Sequence, residues 1–205
     1  MENNGHQTYQ RIMDVAREEF LTKGYEKASL RTIAGKIGIS ATAIYRHFTD
    51  KEALFSALVE PDLNEMFRTH AKHDDELFNY IRQKQNVKIW HLSELEFIES
   101  LNYVYDHYSS FKLLLCCAEG TKLHNFQHEL VADQVEALLE MHKIAKESGI
   151  AVKPITSSEL HLIMSGFFSS IFEMVIHDYS REDALKCGHT LIRFFNTGIS
   201  DVLGI

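Results

Sequence analysis

Residues 29–51 read SLRTIAGKIGISATAIYRHFTDK, and this stretch decides how the first part of the chain folds. Its apolar spacing predicts two short helices, over about residues 30–37 and 41–48. Gly38 stands where a left-handed residue ends the first helix, and Ser29 and Ser40 stand where a hydroxyl caps the helix that follows. Two short helices joined so tightly indicate a helix-turn-helix, a motif whose second helix fits the DNA major groove.

The outward face of this motif is basic and carries hydroxyl groups, as a DNA-binding surface requires. Small side chains at the start of the second helix let it approach base edges, Thr42 offers a hydroxyl, and Arg46 can reach a phosphate or a base. The two predicted helix N-termini add oriented N–H groups for phosphates. The predicted DNA-contacting residues are Ser29, Arg31, Thr32, Ser40, Ala41, Thr42, Ala43, Tyr45, Arg46, His47 and Lys51.

The same residues resemble the signature of the TetR/AcrR family of bacterial transcriptional regulators. The resemblance covers roughly residues 8–58, and the positions that match in order and spacing are Ala34, Gly38, Ser40, residues 44–48 and residues 51–55. It implies an all-α protein with an N-terminal three-helix helix-turn-helix domain, here residues 1–50. It also implies a larger helical domain for effector binding and dimerisation, here residues 51–205.

Two site residues gain a role from this resemblance, and three positions depart from it. Family members contact DNA phosphates with a tyrosine and a lysine at positions that match Tyr45 and Lys51. They also often carry lysine or glycine at positions that match residues 41–43, where this chain has Ala-Thr-Ala. Base reading is therefore expected to depend more on Thr42, Arg46 and DNA shape.

The composition is that of a globular helical protein with a locally basic region. Hydrophobic residues make up 45% and charged residues 24% of the 205 residues, values typical of globular chains, and only two prolines are present. The formal net charge is −8, yet residues 27–51 hold five cations and one anion, so the acidic excess lies elsewhere. This distribution favours local phosphate contact over non-specific wrapping by DNA.

The cysteines and the apolar runs indicate a reduced, intracellular setting. Cys116 and Cys117 are adjacent, and with Cys187 they make an odd count, which argues against a disulfide framework. The N-terminus has no apolar signal core, and no stretch reaches the ~18 apolar residues of a membrane span. We therefore expect a cytoplasmic location and no membrane partner.

Helical periodicity continues along the chain and supports the all-α class. Further helices are expected over about residues 8–23, 51–70, 74–86, 93–108, 123–148, 156–177 and from 180 onward. Residues 1–7 are polar and are expected to be disordered. Thr156, with Glu159 three residues later, predicts a capping box at the start of the helix over 156–177. Pro61 either bends the helix after the motif or separates two helices, and the sequence favours neither alternative.

The last two predicted helices are apolar on more than one side and carry small residues between their apolar positions. Such helices need more partners than one small domain supplies, so we expect a four-helix bundle from two copies of the chain, as the resemblance also implies. A purely internal core is the alternative. The predicted interface residues are Leu160, Met164, Phe167, Phe168, Ile171, Met174, Gly188, Leu191, Phe195 and Ile199.

Aromatic and soft side chains of the middle helices predict a pocket for an apolar or aromatic effector, although such residues can also be ordinary core. The candidate pocket residues are Trp90, Tyr103, His107, Phe111, Cys117, Phe126, His128 and Phe167. His124 and His128 are spaced as a metal-ligand pair without a third ligand, and Cys116–Cys117 could act as a redox pair. We expect no cofactor and no resident metal.

These observations predict a dimeric, ligand-responsive DNA-binding regulator. The simplest form is a repressor that binds a pseudo-palindromic operator and is released by a small-molecule effector. An activator, or a metal- or redox-responsive sensor, is the alternative within this class. The chain has no Gly-rich phosphate loop and no G-x-S-x-G motif, so an enzyme with a vestigial helix-turn-helix is a weaker hypothesis. A protein-binding role for the N-terminal domain conflicts with its basic face.

Overall fold

A computed structural model describes residues 2–82 and 94–204, with side chains over 5–69 and 94–204. The described residues are predominantly helical and contain no strand, which confirms the predicted all-α class. The helices are α1 Glu2–Lys27, α2 Leu30–Ile37, α3 Ala41–Ile44, α4 Lys51–Arg82, α5 Glu94–Asp106, α6 Tyr108–Cys116, α7 Phe126–Glu147, α8 Ser157–Ile176 and α9 Arg181–Leu203.

The helices form two compact units. Unit 1 comprises Met1–Glu65 and His107–Asn125, and unit 2 comprises Met66–Asp106 and Phe126–Ile205. Unit 1 therefore holds α1 to α3, the first part of α4, and also α6, which packs on α1. The boundaries of these units differ from the domain boundary predicted at residue 50. That domain boundary stays a prediction, since it concerns parts of the chain that fold separately.

Buried side chains of unit 1 hold α3 in place. Phe20 of α1 meets Phe55 of α4 edge to face, with ring centroids 5.2 Å apart. Ile33 of α2 and Ile44 of α3 are also completely buried. Because burying one such side chain stabilises the fold by about 1.5–3 kcal/mol, this cluster outweighs the weak helix propensity of the short motif.

The boundaries of α1 and α4 differ from the sequence-based expectation. α1 begins at Glu2 rather than near residue 8, although its predicted end at Gly24 is a real break, with φ 73° and ψ 164°. α4 continues through Pro61 to Arg82, so Pro61 does not separate two helices and the helix expected over 74–86 is the end of α4. Residues 83–86 lie outside the described residues.

The core of unit 2 is built by α5 against α9 and by α7 against α8. α8 begins at the predicted capping box, in which Thr156 and Glu159 bond each other's backbone N–H groups. At Gly188 of α9, an added Cβ would lie only 2.9 Å from a methyl group of Leu101, so glycine lets α9 approach α5 closely. The two helix pairs thereby enclose one apolar core.

One described helix, α8, meets the length and composition of a membrane span, with a mean hydropathy of 1.4 over its best window. No stretch of this kind was expected from the sequence. Its buried residues Leu160, Met164 and Phe167 belong to the core of unit 2. Core helices of globular domains pass the same test, so this finding is weak evidence for a membrane segment.

A buried ion pair joins α1 to α2. The Glu19 side chain is only 1% exposed, and its carboxylate lies 2.6 Å from Lys23 Nζ and 3.3 Å from Lys36 Nζ. The hydrogen bond from Lys23 lowers the pKa of Glu19 below its ordinary value of 4.5. Burial acts in the opposite direction, and Lys36 lowers the pKa further. Because the folded-state pKa is lowered, the stabilisation is present above about pH 4.5 and is lost as the pH falls further.

We expect Glu19→Gln to lower the free energy of unfolding at pH 7 by about 1–3 kcal/mol, since both lysines lose a charged acceptor. The deficit relative to wild type shrinks as the pH falls below about 4.5, because Glu19 becomes protonated in the unfolded wild-type chain before it does so in the folded one. Urea unfolding at pH 7 and at about pH 4 measures both effects. Glu18→Gln is the control, because Glu18 is exposed and its contact with Lys36 is a weak surface pair. An equal deficit at both pH values would contradict this account.

Candidate nucleic-acid interface

The turn between α2 and α3 is set by Gly38. Its backbone is left-handed, with φ 72° and ψ 32°, a conformation that costs glycine little. The Gly38 N–H donates to the carbonyl of Gly35, and the Ile39 N–H donates to that of Ala34 at 3.0 Å. These bonds close the end of α2 and turn the chain sharply into α3, as the sequence predicts.

The second helix of the motif is shorter than expected. α3 spans only Ala41–Ile44, and residues 45–47 form a turn in which the His47 and Phe48 N–H groups donate to the carbonyl of Ile44. The predicted helix over 41–48 is therefore too long. The physical reason is tertiary: Phe48 is buried and stacks on Tyr9 of α1 at 5.3 Å, which draws the chain away from the helix axis.

The two predicted caps have different outcomes. The Ser40 hydroxyl accepts a hydrogen bond from the Ala43 N–H at 3.2 Å, so Ser40 caps α3 as predicted. Ser29 has the extended backbone of a cap residue, but its side chain makes no capping bond to α2. The predicted capping hydrogen bond from α2 to the Ser29 hydroxyl is therefore wrong, although the Ser29 backbone has the expected conformation.

The predicted DNA-contacting residues lie in unit 1, on α2 and α3, in the adjoining turns and, for Lys51, at the first position of α4. All eleven are exposed or half-buried, and the fully exposed ones include Tyr45, Arg46 and His47. Within the described residues, neither Arg31 nor Arg46 has an ion-pair partner in the protein. Both guanidinium groups are therefore available to an anionic partner.

The other cations of this region serve the protein itself. Lys36 pairs with the carboxylates of Glu18 and Glu19. Lys51 Nζ donates to the carbonyls of Tyr25 at 2.8 Å, Glu26 at 3.2 Å and Ala28 at 3.2 Å. The effective basic face is consequently smaller than the count of cations suggests.

Two residues of α1 contribute to the site and were not identified from the sequence. Arg11 donates to the carbonyl of Ile37 at 2.8 Å and so closes the last turn of α2. Tyr9 supports the turn after α3, with its ring edge-on to His47 and stacked on Phe48. Both contacts join residues more than 25 positions apart, and no short-range pattern signals them.

The candidate effector residues are divided between the two units. Phe111 and Cys117 are buried in unit 1, where burial raises the pKa of the Cys117 thiol. His107, also in unit 1, lies 2.8 Å from Asp62. In unit 2 the structure places Tyr103, Phe126, His128 and Phe167. Trp90 lies outside the described residues.

The two histidines considered as a possible metal pair, His124 and His128, do not share a helix. α7 begins at Phe126, so only His128 is helical, while His124 lies in the preceding turns and faces Glu119 at 3.5 Å. The ring of His128 instead meets the ring of His161 at 5.8 Å. Among the residues whose side chains are described, no group of three His, Cys, Asp or Glu could hold a metal ion.

Most of the predicted dimer seam is internal to unit 2. Leu160, Met164, Phe167, Met174, Gly188 and Ile199 are buried in the single chain, so the assignment of these residues to an intermolecular surface is corrected. Phe168, Ile171, Leu191 and Phe195 are half-buried against the same core. The reason is that a strict three- and four-residue spacing identifies the most buried stripe of a helix, and here that stripe faces α5 and α7.

The apolar residues that remain exposed on α8 and α9 lie beside that stripe. Leu162 of α8 is 73% exposed and Phe194 of α9 is 70% exposed. Gly166 and Ser169 follow Leu162 on the same exposed stripe of α8. A large apolar side chain flanked by small residues is a typical contact point for a second helix.

Comparison with known proteins gives a consistent result. Residues 12–58 match the family model described as bacterial regulatory proteins, tetR family. A helix-turn-helix transcriptional repressor of Mycobacterium tuberculosis is 47% identical over 55 residues, which span 27% of this chain and 29% of that protein. The probable acrEF/envCD operon repressor of Escherichia coli K12 is 24% identical over 191 residues, spanning 90% of this chain and 83% of the relative.

The fold is also shared with a solved structure. The transcriptional regulator FadR from Bacillus subtilis, in complex with stearoyl-CoA, superposes with a TM-score of 0.56 at 15% identity. The match covers 93% of this chain and 98% of that one. At 15% identity, this similarity shows a shared fold and nothing about a shared ligand.

We expect Ser40→Ala to lower the free energy of unfolding by about 1 kcal/mol, because the Ala43 N–H loses its acceptor. Ser29→Ala is the matched control: the Ser29 side chain makes no capping bond, so the change costs less than about 0.5 kcal/mol. Urea unfolding followed by circular dichroism measures the difference. Equal losses in the two variants would contradict the capping assignment.

Proposed function

We propose that the chain is a homodimeric repressor of transcription of the TetR/AcrR type, a function supported by the matched family model, the two repressors of similar sequence and the shared fold. In this proposal it binds a pseudo-palindromic operator and is released by a small-molecule effector. The observation that carries the proposal is the exposed face formed by α2, α3 and the turn after α3, on which Arg31 and Arg46 have no ion-pair partner among the described residues. This face lies within the matched residues 12–58.

The proposed DNA contacts follow from the shapes and charges of this face. α3 presents small residues, Ala41 and Ala43, with the Thr42 hydroxyl between them, so its start can approach base edges in the major groove. Arg46 and Tyr45 flank the helix and reach phosphates or bases. Arg31 adds a second cation from α2. With ~3–4 phosphates per half-site, the salt slope of a dimer is about −5 to −7.

The proposed dimer uses the exposed apolar positions of α8 and α9. Leu162 and Phe194 are large, apolar and exposed, and they lie on the two helices whose other faces form the core of unit 2. Two copies related by a two-fold axis would bury them and pair the recognition helices. Half-sites about one helical turn apart, or somewhat more, follow from this symmetry.

The proposed effector binds within the larger helical part of the chain. The Bacillus subtilis relative of similar fold was solved with stearoyl-CoA. For this chain we propose an apolar or aromatic ligand, because the candidate residues of unit 2 include Phe126, Phe167 and Tyr103. An effector that favours a dimer state with mismatched recognition helices by about 1–3 kcal/mol would release the operator.

The alternatives are less well supported. Activation instead of repression would use the same DNA contacts and differs only in where the operator lies. A redox sensor through Cys116 and Cys117 conflicts with the buried Cys117, whose raised pKa disfavours the reactive thiolate. A metal sensor through His124 and His128 conflicts with their separate positions in the turns and in α7.

Arg46→Ala should weaken binding to a double-stranded fragment from upstream of the chain's own gene. We expect a loss of roughly 1–3 kcal/mol per half-site and a smaller salt slope, because one guanidinium contact per protomer disappears. Fluorescence anisotropy at several salt concentrations measures both. Lys146→Ala is the control, since it removes one charge from an exposed position of α7. Unchanged affinity of Arg46→Ala would reject the site.

Phe194→Glu should produce folded monomers. The side chain is exposed in the single chain, so a carboxylate there leaves the core of unit 2 intact but opposes burial in a dimer. Sedimentation velocity and circular dichroism measure assembly and folding. Phe167→Glu is the contrasting variant: Phe167 is buried, and we expect it to unfold unit 2 rather than dissociate the dimer. An intact Phe194→Glu dimer would reject the interface.

A further inference from the structure

A groove runs along the first turns of α4, between this helix and the turns that connect α6 to α7. Its volume is about 490 Å³, and small-molecule sites usually have about 300–1,000 Å³. The residues that line it are Asp50, Glu52, Ala53, Ser56, Ala57, Glu60 and Lys122. All of them belong to unit 1, so this groove is not part of the effector region proposed in unit 2.

The shape of the groove follows from the spacing of residues on α4. Glu52, Ser56 and Glu60 are four residues apart and form one row along the helix. Ala53 and Ala57 lie beside this row, and their small side chains leave the groove open. At a rise of 1.5 Å per residue, the two glutamates are about 12 Å apart along the helix axis. An elongated ligand therefore fits the groove better than a compact one.

The charge of the groove favours a cation. Its lining holds three carboxylates and one ammonium group, a net charge of −2. The ammonium nitrogen of Lys122 lies 2.6 Å from a carboxylate oxygen of Glu60. This hydrogen bond and the charge of Glu60 raise the pKa of Lys122 above its ordinary value; burial acts in the opposite direction, and Glu52 raises the pKa further. One alkylammonium group, supplied by the chain itself, thus already lies in the groove.

The Ser56 hydroxyl indicates that the groove is completed by another molecule. Ser56 is only 8% exposed, yet its hydroxyl has no hydrogen-bond partner among the described residues. The helical residues Ser100 and Ser170 instead donate to the carbonyl four residues earlier, at 2.9 Å and 2.7 Å. A buried hydroxyl without a partner is unfavourable unless water or a ligand supplies one. Ser56 lies between the two glutamates, where a ligand in the groove would contact it.

We propose that this groove binds a linear polyamine, an aliphatic chain with an ammonium group at each end and an amine between them. One terminal ammonium group donates to Glu52 and the other donates to Glu60, while the Ser56 hydroxyl accepts a hydrogen bond from the central amine. The methylene groups lie over the two alanines. A carboxylate accepts several hydrogen bonds, so Glu52 keeps the one that it accepts from the Lys122 N–H at 2.7 Å.

A metal ion fits the groove less well than a polyamine. The carboxylates are spread along the helix, and no group of three His, Cys, Asp or Glu in the part of the chain with described side chains could hold a metal ion. One oxygen of Asp50 is also engaged, since it accepts a hydrogen bond from the Ala53 N–H at 2.7 Å and caps α4. Carboxylates that lie apart suit a ligand whose charges also lie apart.

Titration calorimetry of the full chain with spermidine, at low ionic strength and without DNA, tests the proposal. We expect one spermidine to bind per chain, and Glu52→Gln and Glu60→Gln each to weaken binding about fivefold. Glu140→Gln is the matched control, because it removes an exposed carboxylate that also pairs with a lysine, Lys143. No saturable binding to the wild-type chain, or equal weakening in all three variants, would overturn the proposal.

Two lysine variants separate a specific site from general attraction to an acidic protein. Lys122→Met removes the ammonium group that pairs with Glu60, so we expect spermidine to bind about fivefold more tightly. Lys143→Met changes the net charge by the same amount at an exposed position of α7, and we expect the affinity to stay at the wild-type value. Equal tightening in both variants would show that general attraction alone holds the ligand.

Ser56→Ala tests the middle of the groove. We expect weaker binding of spermidine but unchanged binding of the linear diamine of equal length, in which a methylene group replaces the central amine. The melting temperature followed by circular dichroism should not fall, because the hydroxyl has no partner within the described chain. Unchanged spermidine affinity in Ser56→Ala would overturn the proposed arrangement. None of these measurements uses DNA, so the polyamine site stands or falls independently of the proposed repressor function.

Discussion

The fold of unit 1 depends on the contacts that hold α3, a helix too short to be stable alone. α3 has four residues, Ala41–Ile44, far fewer than an isolated helix needs in water. Three interactions hold α3 in position. Gly38 makes the left-handed turn before it, the Ser40 hydroxyl caps its start, and Ile44 is buried in the core. The stacking of Phe48 on Tyr9 fixes its other end. A helix placed in this way is as well defined as the core around it.

The charges of unit 1 divide into two groups with different tasks. Arg11 and Lys51 donate to carbonyls at the ends of α2 and α1, and Lys36 neutralises the buried Glu19. Arg31 and Arg46 carry no internal ion pair within the described residues and face outward. The first group determines the shape of the motif, and the second supplies its proposed affinity for phosphate. A count of cations in the sequence does not distinguish the residues that hold the motif together from those that face outward.

The sequence predicted the parts of the structure that depend on neighbouring residues. The all-α class, the turn at Gly38, the Ser40 cap and the capping box at Thr156 all rest on contacts within a few positions. The length of α3 was wrong, because Phe48 packs on Tyr9, a residue 39 positions away.

The same limit explains the corrected dimer seam. Three- and four-residue spacing located the most buried stripe of α8, but spacing cannot state whether that stripe faces another helix of the same chain or a second copy. The exposure of Leu162 and Phe194 beside this stripe depends on which helix faces α5 and α7 cover, and spacing alone does not predict it. The use of Lys51 by α1 was likewise unpredictable, because its carbonyl partners lie more than 20 positions away.

The central claim is that two copies of the α2–α3 face read one operator together. Hydroxyl-radical footprinting of the chain on the fragment upstream of its own gene tests it most directly. The account predicts two protected stretches on the same side of the duplex, with centres about one helical turn apart or somewhat more. A single protected stretch, or no protection at a protein concentration where the chain is dimeric, would contradict it.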